Sequence, residues 1–324
     1  VNRNIASLSV AFLALLLLAG CAAAPSTSGP DSSPSPSPSA SVTADTVERI
    51  ENTWSAPGSV TLDALPLGDG NLSTETAAVG SVLSCRPANP DAPGAQVEGP
   101  WINGDTWNAR EKIVVQGEVS WPIAAMSEDV EGATRTIITN GLPMDYVTGV
   151  FPVAATDPAI EFDRNPNAIS ESLEYTFSLP IAPADSSAPN CVGTGAIGVL
   201  LNGVVLFSAV DARGDDAVAH EAQDVCQGHP EMTGTYHYHE VPTCLRDNAA
   251  GASTVVGWAV DGYPIVVERD AGGFLPTNAD LDACHGRTSP IMLDGEVVEQ
   301  YHYSATLEYP YTVGCLKAPA TEVQ

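Results

Sequence analysis

Basic residues are scarce in this chain: 12 Lys and Arg stand against 40 Asp and Glu, for a formal charge of −28. So few cations cannot build the basic stripe that phosphate backbones require, which argues against nucleic acid as a partner. An acidic surface also repels anionic lipid, so membrane attachment would need a covalent anchor. No Cys-x-x-Cys occurs, and with it go the zinc ribbon and the thioredoxin-type redox site. Gly-x-Ser-x-Gly, His-Glu-x-x-His and phosphate-loop patterns are missing too. Gly193-Thr194-Gly195-Ala196-Ile197-Gly198 does fit Gly-x-Gly-x-x-Gly. A dinucleotide site needs a strand before that loop and a helix after it, whereas here Pro189 and Cys191 precede it and a hairpin pattern follows. No nucleotide cofactor is expected.

What is present begins with an export signal. Val1 reads as a literal GUG start, Arg3 supplies a positive n-region, and Ile5–Ala19 is apolar but short for a transmembrane helix. The stretch closes on Leu18-Ala19-Gly20-Cys21, which resembles the lipobox of bacterial lipoproteins. That resemblance implies cleavage before Cys21, lipidation of its thiol, and attachment to the outer face of the cytoplasmic membrane, where two or three acyl chains hold stably. From Cys21 to about residue 45 the chain is mostly Ser, Pro, Ala and Thr, a composition that buries no core and reads as a tether. The expected organisation is therefore a signal peptide over 1–20, a lipidated tether over 21–45, the N-terminal part of an ectodomain over 46–98, and a main domain over 99–320. Roughly 270 residues remain for folding, enough for one large domain or two small ones.

The folded part reads as mainly β: antiparallel, hairpin-rich sheets or a sandwich, with long ordered loops and few short helices. Asn202-Gly203, Asp261-Gly262 and Asp294-Gly295 each sit between two apolar runs, and Asn or Asp before Gly supplies the positive φ of a tight turn. Leu173–Leu179 alternates as a further strand, and one short helix is expected around Asp216–Val225. Apart from Cys21, six of the 7 cysteines remain: Cys85, Cys191, Cys226, Cys244, Cys284 and Cys315. An even number in an exported chain implies disulfides, though composition alone leaves their connectivity open. An internal echo narrows it. Cys226-Gln227-Gly228, Tyr236-His237-Tyr238 and Cys244-Leu245 recur as Cys284-His285-Gly286, Tyr301-His302-Tyr303 and Cys315-Leu316. Two similar units, each closed by its own pair, favour Cys226–Cys244 and Cys284–Cys315 and leave Cys85–Cys191.

All 6 histidines fall between His220 and His302. On a strand His237 and His239 share one face, with Tyr236 and Tyr238 on the other. With His229 from the preceding turn and His302 from the echo, they form a candidate ligand set for a divalent transition metal, zinc or copper. Two other readings stand beside it: a structural or partner-binding envelope domain whose Tyr/His runs form a hydrogen-bonded polar core without an ion, and a metal-free catalytic histidine. Asp261 and Glu240 are candidate acid/base partners should the domain be a hydrolase or oxidase. His220 and Asp224 are expected to pair locally along the short helix, and His285 to lie in a turn.

Cys226-Gln227-Gly228-His229-Pro230, Tyr236-His237-Tyr238-His239 and Gly257-Trp258-Ala259-Val260-Asp261-Gly262-Tyr263-Pro264-Ile265 resemble the YHYH-domain proteins. So do Tyr309–Cys315, Gly99–Trp107, Asn140–Pro143, Asp163–Asn167 and Asn202–Val204, which extends the likeness from about Gly99 to Cys315. The resemblance implies an exported bacterial protein and no established activity. Ser304 stands where the second run of the family tends to carry His, and Met144-Asp145 where members often carry Asn-His. The sequence makes one prediction testable without any structure. Cys21→Ser shifts the protein out of the membrane fraction or strands it as precursor, and an unmodified mature N-terminus elsewhere in the signal region, found by mass spectrometry, contradicts it.

Overall fold

Three Asn-Gly or Asp-Gly pairs organise the chain. The computed structural model describes residues 49–54, 60–94 and 96–324. The signal peptide, Cys21 and the tether lie outside the described residues. Each pair turns a hairpin with its glycine at positive φ: Gly203 at 92°, Gly262 at 89° and Gly295 at 84°. Asn202-Gly203 joins β1 (Gly198–Leu200) to β2 (Val205–Leu206). Two further strands, β3 (Gly228–Pro230) and β4 (Tyr236–Tyr238), form the next hairpin. Asp261-Gly262 joins β5 (Ser253–Ala259) to β6 (Pro264–Glu268), and Asp294-Gly295 joins β7 (Gly286–Leu293) to β8 (Glu296–Ser304).

These strands make one eight-stranded sheet in the order β3-β4-β2-β1-β5-β6-β8-β7. Its two halves repeat each other. In the first, β1 and β2 are antiparallel, β2 runs parallel to β4, and β4 pairs with β3. In the second, β5, β6, β8 and β7 stand in the same relations. The halves join through antiparallel β1 and β5, where Gly198 faces Ala259, Val199 faces Trp258 and Leu200 faces Gly257. Gly198 and Gly257 are equivalent, each four residues before its turn Asn or Asp, so the Val199–Trp258 pair lies on a local two-fold axis. Register agrees: Leu206 faces Tyr238 as Ile265 faces Tyr303. The echo in sequence is thus a structural repeat.

Each half is pinned alike. Asp224 Oδ1 accepts the N–H groups of Cys226 and Gly228, and Asp282 Oδ1 those of Cys284 and Gly286. Tyr236 donates to Asp224 at 2.8 Å, and Tyr301 to Asp282 at 3.1 Å. Tyr238 accepts from Asn202, while Tyr303 donates to Asp261, so the turn residue of each hairpin also holds a buried tyrosine. The disulfides are Cys226–Cys244, Cys284–Cys315 and Cys85–Cys191, as the echo suggested. Each contributes about 2–4 kcal/mol by restricting the unfolded chain.

Smaller sheets flank this one. Met126–Glu131, Thr134–Thr139 and Tyr175–Pro180 form an antiparallel meander, the last strand covering the expected 173–179 run. Leu65–Pro66, Thr106–Trp107 and Ile102–Asn103 form another. Residues from Trp54 to Ala318 share one core, and Glu48–Gln324 forms one compact unit. No helix among the described residues is long and apolar enough to cross a membrane.

The helix expected around Asp216–Val225 is shorter: α1 spans Ala217–His220 only. Asp216 caps it by accepting from Val218 and Ala219, Glu221 is already extended, and Gln223–Asp224 pairs in parallel with Val114–Val115. His220 and Asp224 therefore do not pair. His220 lies 2.9 Å from the Asp69 carboxylate instead. His285 does lie in a turn, at φ 67°.

The turn glycines give a graded prediction. A Cβ on Gly295 meets nothing within 4 Å, whereas one on Gly262 stands 2.4 Å from the Pro180 carbonyl. Gly295→Ala costs about 1–2 kcal/mol for the left-handed backbone alone, and Gly262→Ala costs roughly 1–3 kcal/mol more for the clash. Urea unfolding measures both, and equal losses would contradict the packing of Pro180 over the β5–β6 turn.

Candidate metal centre

The β3–β4 register sets His229 directly opposite His237, and His239 follows two residues on along the same face. The three rings converge: Nε2 of His239 lies 3.3 Å from Nε2 of His229 and 3.1 Å from Nε2 of His237. The ligand atoms of the three all fall within 4.8 Å of one another, and all three side chains are buried. Phe207 stacks on His237 at 4.0 Å and backs the ring.

The other nitrogens decide the tautomers. His237 Nδ1 donates to the Thr235 carbonyl at 3.1 Å, and His239 Nδ1 to the Ser208 carbonyl at 2.5 Å. A carbonyl can only accept, so each ring keeps a proton on Nδ1 and, when neutral, presents the Nε2 lone pair to the centre. Glu221 joins them, with Oε2 3.2 Å from His229 Nε2 and 3.1 Å from His239 Nε2. Sequence reasoning missed Glu221, because a helix continued past His220 would have turned it away. Only the early end of α1 delivers it here.

Charge in the cluster follows from these neighbours. Burial pushes the His237 imidazole well below its ordinary range, and His229 and His239 push the same way. Burial also opposes charge on Glu221, but the His229 and His239 rings hold its carboxyl well below the usual range. Burial lowers His239 as well, and the hydrogen bond and charge of Glu221 outweigh it, leaving His239 raised. The cluster lies in the wall of a cavity of about 890 Å³ that Asp163, Asn165, Phe207 and Asp211 also line.

His302 is not part of this centre, although it was expected there with the other three. It sits on β8, five strands across the sheet from β4. By register it is the equivalent of His237, as Arg287 is of His229 and Ser304 of His239. In this second half a carboxylate fills the middle. Arg287 donates to Glu268 through Nε and an Nη at 3.0 and 2.7 Å, Ser304 Oγ donates at 2.6 Å, and His302 Nε2 lies 3.1 Å away. With Arg and Ser at the positions of the two outer histidines, the second half holds an ion-pair network where the first holds a cluster of donor atoms.

Neither acid/base candidate reaches the cavity. Asp261 is buried in the second half, where it accepts from Tyr303 and from the backbone of Lys317 and Ala318. Glu240 is buried 3.9 Å from Arg246, and burial pushes it up to about 7. Residues 193–198 lead into β1 and no helix follows, in keeping with the rejected dinucleotide pattern.

A family model described as "YHYH protein" matches residues 176–272. The chain carries a YHYH domain. The matched span of that domain holds β1 to β6 and the whole histidine triad. No curated protein and no solved structure matches the chain.

The second half supplies a pH prediction. Burial raises Glu268, but His302, Arg287 and Ser304 together bring it down to about 2, from an ordinary 4.5. A lowered carboxyl stabilises the fold above its unfolded value and loses that contribution as pH falls from about 4.5 through about 2. Glu268→Gln therefore costs roughly 2–4 kcal/mol at pH 7, and the gap to wild type closes as acid is added. A gap that stays constant between pH 7 and pH 3 would contradict the network.

Proposed function

We propose that the YHYH domain holds a divalent transition metal, zinc or copper, on His229, His237 and His239. One observation carries this reading: with Nδ1 of His237 and His239 committed to carbonyls, their Nε2 lone pairs point at each other across 3.1 Å. Bare lone pairs repel at that distance. A proton relieves one pair, whereas a dication relieves all three rings at once, and neutral imidazoles suit zinc, copper, iron and nickel. A purely structural Tyr/His core would need no such convergence.

In the same proposal the protein is an exported lipoprotein, attached through Cys21 to the outer face of the bacterial cytoplasmic membrane. The lipobox-like Leu18-Ala19-Gly20-Cys21 and the Ser/Pro tether support that placement. A second reading, a metal-dependent hydrolase or oxidase acting outside the cell, is favoured by the cavity. A structural metal is closed off by its ligands, while this cluster opens on about 890 Å³ of space.

Elemental analysis of tag-free protein, as isolated and after chelation and reloading, tests the metal. Wild type carries one equivalent of zinc or copper. His237→Ala and His239→Ala lose it, while Tyr238→Phe, on the opposite face of β4, retains it. No stoichiometric transition metal in wild type under either condition would overturn the reading.

A further inference from the structure

The triad has a fourth donor beside it, and the structure assigns Glu221 as the carboxylate ligand that completes the metal site. The inference rests on the metal reading above and adds a ligand that the Tyr-His run does not contain. Glu221 Oε2 lies 3.2 and 3.1 Å from Nε2 of His229 and His239, and those two nitrogens are 3.3 Å apart. Donors held about 2.0–2.1 Å from one tetrahedral ion stand about 3.3–3.4 Å from one another. The carboxylate thus already sits one ligand edge away from two of the three imidazoles.

Its hydrogen bonding points the same way. Oε2 is buried, and the polar groups that reach it among the described residues are the His229 and His239 rings, at 3.2 and 3.1 Å. Neutral His239, with its proton on Nδ1 at Ser208, offers Oε2 a lone pair, so a proton or a metal ion must stand between them. A buried anionic oxygen without a donor is costly, and a metal ion is the group that would satisfy it together with the imidazoles. The second half of the sheet shows the other solution. There the carboxylate of Glu268 is surrounded by the donors Arg287 and Ser304, and no ion is called for.

The backbone is built to deliver Glu221. It is the C-cap of α1, at φ −83° and ψ 135°, with its N–H on the Ala217 carbonyl. The helix ends one residue before it, and its side chain is only 16% exposed. A three-imidazole, one-carboxylate set carries a single negative charge, so it neutralises half of a dication. It favours zinc, iron(II), manganese and cobalt over copper(I).

Cobalt(II), whose visible absorption reports its coordination, is the probe. The full chain and the variants Glu221→Gln, Glu221→Ala and His237→Ala are titrated with cobalt and followed by absorbance, with thermal unfolding of each metal-free protein as a control for folding. Wild type gives a saturable spectrum at one equivalent, and His237→Ala gives none. Glu221→Gln binds at least tenfold more weakly with a shifted spectrum, and added acetate restores part of the wild-type affinity to Glu221→Ala. If both Glu221 variants keep wild-type affinity and spectrum while His237→Ala loses them, Glu221 is not a ligand and the imidazole site stands alone. If wild type itself binds no cobalt, the imidazole site and the fourth ligand fall together. If the Glu221 variants are unfolded without metal, Glu221→Asp replaces them: it retains cobalt with a shifted spectrum, and an unshifted one counts against the assignment.

Discussion

A carbonyl oxygen accepts and never donates, so the main-chain oxygens of Thr235 and Ser208 hold the protons of His237 and His239 on Nδ1, at 3.1 and 2.5 Å. Everything distinctive about the site follows from those two hydrogen bonds. They orient the rings, fix their tautomers and turn two lone pairs inward. The sheet exists, in functional terms, to keep the carbonyls there. Thr235 immediately precedes β4, and Ser208 follows β2, the strand that runs parallel to β4. A slip of one residue in the β2–β4 or β3–β4 register would exchange the histidine face for the tyrosine face and dissolve the centre.

The repeat shows how little separates a ligand cluster from a structural network. Both halves keep the Asp-x-Cys-x-Gly turn, the buried tyrosine pair and the disulfide, so the scaffold is common to both. The first half places three lone-pair donors around its centre. The second replaces two of them with Arg287 and Ser304, which bring protons instead, and a glutamate takes the central place. The polarity of the lining residues therefore determines whether the centre calls for a cation or an anion.

Much of this was legible in the residues. The Asn-Gly and Asp-Gly turns marked their hairpins, because positive φ is a local demand that only a few residues meet. The Cys226–Cys244 and Cys284–Cys315 pairs followed from the echo. Alternation put His237 and His239 on one face. Long-range placement was not legible. His302 shares the motif of His237, yet the crossover topology carries it to the far half of the sheet. Glu221 carries no local signature at all, since its position depends on α1 stopping at His220. Asp261 and Glu240 looked like chemistry because they are acidic and close to the motif. One is a hydrogen-bond anchor for the C-terminal segment, and the other is buried beside Arg246.

The central claim is that inward-facing Nε2 atoms surround a cation. Anomalous diffraction from crystals of the zinc-soaked, tag-free protein tests it most directly. The account predicts a zinc-edge peak about 2.0–2.1 Å from Nε2 of His229, His237 and His239, with no peak near His302. An empty triad in such crystals, with Nε2–Nε2 distances unchanged and zinc only at surface carboxylates, would contradict it.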